Sequence, residues 1–495
     1  MIPPQATARA ANHRLELVVG LEVHVQLKTR TKAFCACSTD FGDPPNTNVC
    51  PTCLGLPGAL PVLNDHAVDL AMRAALAVRC TVHGTSVFVR KSYFYPDLPK
   101  GYQITQFDQP LATGGSVEID PVDASVDSSA TRRTIRIHRI HIEEDAGKSL
   151  HDRFAGQTAI DLNRAGVPLI EVVSEPDLRS SAEAAAYLRT LKSILEYMDV
   201  SDVNMEEGSL RVDANVSVRP AGSSVLAQKT EVKNMNSFSA VERAIEAEYA
   251  RQRAVLESGG SVTAQTMLWD ASGGTVRPAR AKEGSEDYRY FPDPDLPPLV
   301  LPRKRINRYR EHLPELPSAR RARMSADYAL DPSDIEVLTS SPALADYYEA
   351  VARQHGNGKS AANWVMGEVL AALKAGTRDI RHFAVRPADV ALLLDMIRDG
   401  VVTHTAGKQI FATMVRDGGT PTDIAGREGL LKVTDDALLR DWLDAALRDH
   451  PREAERYAAG EKKLQGVLIG AAMKKSKGSA DPQRLAQLLA ERFGM

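Results

Sequence analysis

The chain has 495 residues, enough for roughly three domains, since single cores stop growing beyond about 250–300 residues. With 43% hydrophobic and 25% charged residues the composition is that of an ordinary globular protein, which excludes a wholly disordered chain. Lys and Arg number 61 against 64 Asp and Glu, for a net charge of −3, so a nucleic-acid partner would need a local basic patch rather than a global field.

The opening residues, MIPPQATARAANHR, lack the apolar stretch of a secretory signal, and 1–15 read as a flexible extension. From 16 to 303, short β-rich runs alternate with loops: LELVVGLEVHVQL, TSVFVR, TIRIHRIHIEED, VPLIEVVSEPD and SLRVDANVSV. RIHRIHI at 136–142 alternates as a half-buried strand requires. Helices are expected at 65–78 and 181–198. The pattern predicts an α+β, antiparallel-rich cradle domain. Proline clusters at 293–298 and 313–318 mark its end, because proline fixes φ and removes a donor. Beyond them SPALADYYEAVARQ and SAANWVMGEVLAALKAG predict an all-α domain over 304–405. A small helical tail domain is expected over 406–495. Its helix at 435–448 puts Leu438, Leu439, Trp442, Leu443, Ala446 and Leu447 on one stripe. A later helix starts on Asp481 and Pro482, a favourable cap and first turn. No apolar run approaches the ~20 residues of a membrane helix, so no membrane role is expected. Five cysteines do not make a disulfide scaffold, and a reducing cytoplasm is the expected location.

The sharpest local motif is Cys35-x-Cys37 followed by Cys50-x-x-Cys53 across a loop rich in Pro, Gly and Asn. Two close thiol pairs can surround Zn²⁺ tetrahedrally, and with no open position implied the site reads as structural. The alternative is four unrelated buried thiols. Glu22 and His24 share one face of a strand by period-two spacing. Further acids follow at Glu143, Glu144 and Asp145, at Glu171, at Glu206 and Glu207, and at Asp213 with Asn215 on its face; of these Glu144, Glu171 and Asp213 sit beside or inside apolar strand-like runs. Clustered acids are usually a solvated surface, but carboxylates that face inward need metal ions or cations. Oxygen ligands with one imidazole suit Mg²⁺ or Mn²⁺.

Gly147-Lys148-Ser149 and Gly358-Lys359-Ser360 lack the glycine of a phosphate-binding loop, since Ile142 and Arg353 stand where it would be. No nucleotide-binding fingerprint identifies adenine contacts. The stretch from Lys91 to Gln106 is rich in aromatics and lysines, as is DYRYFPDPDLPPL at 287–299; either can hold anions or stack bases, or simply pack. Lys462, Lys463, Lys474, Lys475 and Lys477 flank an apolar helix, as a solvated face or a phosphate contact.

Together, GLEVHVQL, RKSYFYPDLPKGYQITQFDQP, HIEEDAGKS, DLNRAGVPLIEVVSEPD, NMEEGSLRVDANVSVRP, EVKNMNSF, EDYRYFPDPDLPPL, ANWVMGE and SKGSADPQ resemble the B-subunit family of aspartyl/glutamyl-tRNA amidotransferases, in order along nearly the whole chain. The resemblance implies a kinase-like cradle, a helical domain and a tRNA-contacting tail. It implies ATP-dependent phosphorylation of the Glu or Asp carboxylate on misacylated tRNA, followed by displacement of phosphate by ammonia. The ammonia would come from an amidase (A) subunit in a heterotrimer that includes a small C subunit. By motif, His24, Glu144 and Glu171 would hold Mg²⁺, with Glu22, Glu143 and Glu207 close by for a second ion. Asp213 and Asn215 would complete the polar floor. Lys91, Tyr93 and Lys100 would form an ammonia gate, the cysteine quartet a structural Zn²⁺ site, and the five tail lysines a tRNA contact. The competing readings are a non-catalytic tRNA scaffold, which inward carboxylates oppose, and a metal hydrolase that turns over without ATP.

Overall fold

The computed structural model describes residues 14–120, 132–154, 156–279, 288–376 and 379–494. The expected extension over 1–15 lies outside them except for its last two residues, and Leu15 already opens the first strand. The chain divides into two compact units, Met1–Leu316 and Pro317–Met495. The first runs past the expected end at 303 because the helix Arg303–Glu311 belongs to it. Arg305 donates to Asp65 at 2.8 Å and Asp69 at 2.6 Å, and Ile306 is buried in the same core.

The first unit is built on a 9-stranded sheet. Its strands run in the order Thr275–Pro278, Thr266–Asp270, Thr230–Met235, Leu210–Pro220, Leu15–Gln26, Pro168–Ser174, Arg133–Glu144, Ala112–Ile119 and Thr81–Val82. Every neighbouring pair is antiparallel except Thr230–Met235 with Thr266–Asp270, in keeping with the α+β expectation. The alternation of the first strand sorts its side chains. Leu21, Val23 and Val25 are fully buried on one face, and Glu22, His24 and Gln26 stand on the other. The apolar face of the sheet shares a core with the helices Asp65–Ala77, Ser181–Tyr197 and Phe238–Glu257. Burial of each such aliphatic side chain contributes about 1.5–3 kcal/mol. Each helix starts on a side-chain cap: Asn64, Ser180 and Ser237 accept from the first free amides. The helices leave the opposite, polar face of the sheet uncovered by this core.

The second unit is helical. One core is formed by residues from Met324 to Leu430, and a second by residues from Leu439 to Leu489. The expected boundary at 405/406 therefore falls inside the first of these cores. The helix His404–Asp417 turns Ala406, Ile410, Phe411 and Met414 inward, and Phe411 meets Trp364 edge-on at 6.0 Å. The expected tail helices are present at Asp436–Asp449 and Pro482–Phe493, the latter capped by Asp481.

Candidate active site

Strand register assembles the site on the polar face. His24 lies opposite Glu171 on one side and Arg211 on the other, and Glu171 lies opposite His141. Two residues along, Glu22 lies opposite Asp213 and Val173, and Val173 lies opposite Arg139. Four strands distant in sequence thus present their side chains to one area. His24 Nδ1 is 3.3 Å from Glu143 Oε1 and 3.8 Å from Glu171 Oε2, and its Nε2 is 3.8 Å from Asp213 Oδ2. The buried His141 places Nε2 between Glu171 (3.4 Å) and Glu143 (3.7 Å). Asn215 donates to Glu22 at 2.9 Å, and Lys233 bridges Asp213 at 2.7 Å and Glu231 at 3.0 Å.

The electrostatics follow from this crowding. Burial disfavours a charge on His24, but hydrogen bonds to Asp213 and Glu143 and the charge of Glu171 raise it to about 10. Burial opposes ionisation of Glu143 and Glu171 as well, yet the neighbouring imidazoles hold both below the usual carboxylate range. Burial and the charge of Glu171 push Glu22 up. Like charges held this close need a cation, and the imidazolium of His24 fills that role when no metal is bound. The donor atoms of His24, Glu143 and Glu171 lie within 4.8 Å of one another, as do those of Glu22, Asp213 and Glu231. An imidazole with carboxylate oxygens fits Mg²⁺ or Mn²⁺.

Not every expected residue joins this cluster. Glu144 was expected beside His24 and Glu171, but Glu143 takes that position. Glu144 lies on the other face, ion-paired with Lys100 and accepting from the Ile104 amide at 2.9 Å. The cause is strand alternation: Glu144 shares parity with the buried Ile140 and Ile142, and Glu143 with His141. Glu207 is exposed on a turn and lies outside the cluster. Asp145 is buried in a salt bridge to Arg211, at 2.8 and 2.9 Å, with Gln26 at 2.9 Å. His141, Arg139, Glu231 and Lys233 were not anticipated from the sequence, although the parity of RIHRIHIEE and of EVK places them.

Lys100 and Glu144 line a cavity of about 70 Å³ with Lys32, Phe34, Cys53 and Tyr102. Lys91 and Tyr93 are not among its lining residues; Lys91 sits 4.6 Å over the Tyr288 ring, and Tyr93 stacks on Tyr95. The four cysteines converge, with all sulfurs within 4.8 Å of one another. Cys50 and Cys53 Sγ are 3.8 Å apart, the spacing that tetrahedral Zn–S bonds of about 2.3 Å produce. A thiol hydrogen bond from Cys35 draws Cys53 toward the thiolate against the cost of burial. The fully buried Lys32 supports that charge from 3.8 Å. The residues present therefore fit a zinc ion. In the second unit, all five tail lysines are exposed, and Lys475 pairs with Asp449 at 2.5 Å.

Comparison with known proteins gives the family. Residues 17–307 match the GatB/GatE catalytic domain, and residues 346–493 match the GatB domain. The chain belongs to the GatB family. It is 49% identical to the B subunit of the aspartyl/glutamyl-tRNA(Asn/Gln) amidotransferase of Chlorobium chlorochromatii, over 97% of this chain and 99% of that one. The same-named protein of Thermosynechococcus vestitus is 48% identical over 100% of this chain and 99% of its own length. That of Myxococcus xanthus is 47% identical over 96% and 98%. By family the chain is thus the B component of an amidotransferase, and the polar face described above lies within its catalytic domain. No described helix is long and apolar enough to cross a membrane.

Proposed function

We propose that this chain carries out the ATP-dependent step in the transamidation of misacylated Glu-tRNA(Gln), Asp-tRNA(Asn) or both, by phosphorylating the tRNA-borne carboxylate. The observation that carries this reading is the convergence of His24, Glu143 and Glu171, with Glu22 and Asp213 alongside, on one face of the sheet. A carboxylate is a poor electrophile until one oxygen becomes a leaving group, and a phosphoryl group makes it one. Such a transfer needs positioning and charge neutralisation rather than a protein nucleophile. A divalent ion held by His24, Glu143 and Glu171 would neutralise phosphate charge when bound. Glu22, Asp213 and Glu231 would hold a second. Asn215 fixes the Glu22 carboxylate, and Lys233 keeps Asp213 and Glu231 from repelling each other.

Ammonia would come from a glutamine-hydrolysing A subunit, in a heterotrimer completed by a C subunit. Lys100 and Glu144, on the cavity beside the cysteine quartet, would form the gate through which it arrives. Lys91 and Tyr93 would stand at the mouth. The quartet would hold a structural zinc, the tail lysines would contact tRNA, and the work would take place in the cytoplasm beside translation. A non-catalytic scaffold does not account for a buried carboxylate cluster, since a surface built only to grip phosphates should be basic there.

The test is an assay of the assembled complex with ATP, Mg²⁺, glutamine and each misacylated tRNA. The expected result is amide formation that requires ATP and releases ADP and phosphate in step with product. Product formed without ATP would overturn the reading and favour a metal hydrolase. Running both tRNAs determines which is the substrate.

A further inference from the structure

Arg139 stands apart from the other cations of the polar face. Arg211 is paired with Asp145, Lys233 with Asp213 and Glu231, and on the far side Lys100 with Glu144. Among the described residues Arg139 has no carboxylate partner, and its buried Nε has no hydrogen-bond partner at all. Buried donors are normally hydrogen-bonded, and this one lies beside the carboxylate cluster on the polar face of the sheet rather than inside a core, so a ligand on that face can complete it. Its guanidinium carbon sits 5.7 Å from the centre of the Phe107 ring. Phe107 in turn stacks on Tyr290 at 4.3 Å with the rings parallel to within 1°. The guanidinium thus lies against an aromatic stack on one side.

The register gives the guanidinium fork its target. Arg139, Val173, Glu22 and Asp213 form one row across adjacent strands. Two strand spacings separate the Arg139 and Glu22 backbones, about 10 Å. Val173, between them, offers no polar group. The row is therefore cationic at one end, acidic at the other and apolar between, next to the His24 cluster. A group that bridges these ends must present oxygen atoms to the arginine and share a divalent cation with the carboxylates. A terminal phosphoryl group has that chemistry.

We infer that Arg139 binds the γ-phosphoryl group of ATP during its transfer, an inference that rests on the proposed phosphorylation. The tRNA-borne carboxylate oxygen forms the new P–O bond while the bond to the ADP oxygen breaks. ADP leaves with the electron pair, and the balance requires no proton and no redox partner. Arg139 contributes donors to the equatorial oxygens, where negative charge is spread in the transition state.

The test uses the complete complex and equilibrium binding of ATP and ADP with Mg²⁺, without tRNA, so that nothing turns over. For Arg139→Ala the affinity for ATP is expected to fall about ten- to a hundredfold while that for ADP stays within twofold, the loss of charge-assisted hydrogen bonds to one group. Arg139→Lys keeps the charge and loses the fork, and should recover part of the loss. Arg139 is partly exposed and outside the core, and unchanged melting would show that the variants are folded. If the alanine variant melts early, the lysine variant decides: an unchanged ATP-to-ADP affinity ratio overturns the inference. So does a rise in KM for misacylated tRNA with ATP binding intact, which would assign the arginine to the amino-acid carboxylate. The wild-type assay above separates the two levels. If the wild type needs no ATP, the phosphorylation reading fails; if it needs ATP and Arg139→Ala binds ATP normally, only this inference fails.

Discussion

Glu143 and Glu144 are adjacent in sequence and serve opposite faces of one sheet. Glu143 approaches His24 Nδ1 at 3.3 Å, whereas Glu144 pairs with Lys100 and accepts from the Ile104 amide at 2.9 Å. Both are buried, so each carboxylate depends on the partners its face supplies. One residue of register separates a candidate metal ligand from a candidate gate.

Substituting the two glutamates should therefore produce different defects. Glu143→Gln removes a carboxylate that His24 and His141 hold ionised, but Glu171 and Asp213 remain beside His24, so the stability loss should be moderate, about 1–2 kcal/mol. Catalysis should fall at least about a hundredfold through loss of a metal ligand and its charge. Glu144→Gln strands the buried ammonium of Lys100 and should cost about 3–5 kcal/mol of stability. Denaturant unfolding alongside the amidation assay checks both. Equal destabilisation by the two variants would contradict the two-face arrangement.

The parity that separates this pair is written in the sequence as a break in the alternation expected over 136–142. Ile135 and Ile137 are odd-numbered and Ile140 and Ile142 even-numbered, so the apolar face changes phase within RIHRIHIEE. The structure realises this as a bulge: consecutive residues Val173 and Ser174 pair with Arg139 and Ile137, leaving His138 over. After the bulge Glu144 follows the isoleucines and Glu143 follows His141. The facing of Glu22 and His24 was legible, because a single clean alternation sets it. Which strands become neighbours was not. That His24 meets Glu171 and Arg211 depends on pairings between segments far apart in the chain, and no local pattern encodes them. The extent of the middle helical core was also hidden, because Ala406, Ile410 and Phe411 read the same whichever core they join.

The cysteine quartet should bind about one zinc per chain, measured by elemental analysis of purified protein. With metal bound, the four thiols should resist a thiol reagent, and Cys80, buried in the main core, should resist it too until the protein unfolds. Cys53→Ser should abolish zinc retention and lower stability by several kcal/mol, since the ion ties both ends of a loop with little core of its own. It also leaves the buried Lys32 without its thiolate neighbour. Four freely titrating thiols in zinc-replete protein would refute the site.

The helical unit should carry an acid-sensitive lock at Glu349. Burial alone would raise its carboxyl, but Arg323 and Arg320, bonded at 2.6 and 2.5 Å, hold it down at about 2 from an ordinary 4.5. A depressed carboxyl stabilises the fold above its unfolded-state value. That stability should be fully present above pH 4.5 and disappear as pH falls toward about 2. Glu349→Gln should lose about 2–3 kcal/mol at neutral pH and flatten the acid limb of the stability curve. Denaturant melts across this pH range, followed by fluorescence, measure it. A variant with an unchanged acid limb would show that the lock contributes nothing.

His141 should govern how tightly the cluster holds its metal without itself being a required ligand. It is buried, its Nε2 lies 3.4 Å from Glu171 and 3.7 Å from Glu143, and its Nδ1 has no hydrogen-bond partner among the described residues. A group in that position spaces two carboxylates that would otherwise repel or collapse together, and such outer partners typically change metal affinity 10–100-fold. His141→Ala should weaken Mn²⁺ binding by roughly that factor, read directly by titration of the metal rather than by turnover. His141→Asn retains a donor of similar reach and should restore part of the affinity, whereas a purely space-filling role would be rescued as well by leucine. If asparagine and leucine restore binding equally, His141 acts by packing, and the hydrogen-bonding account of the cluster fails.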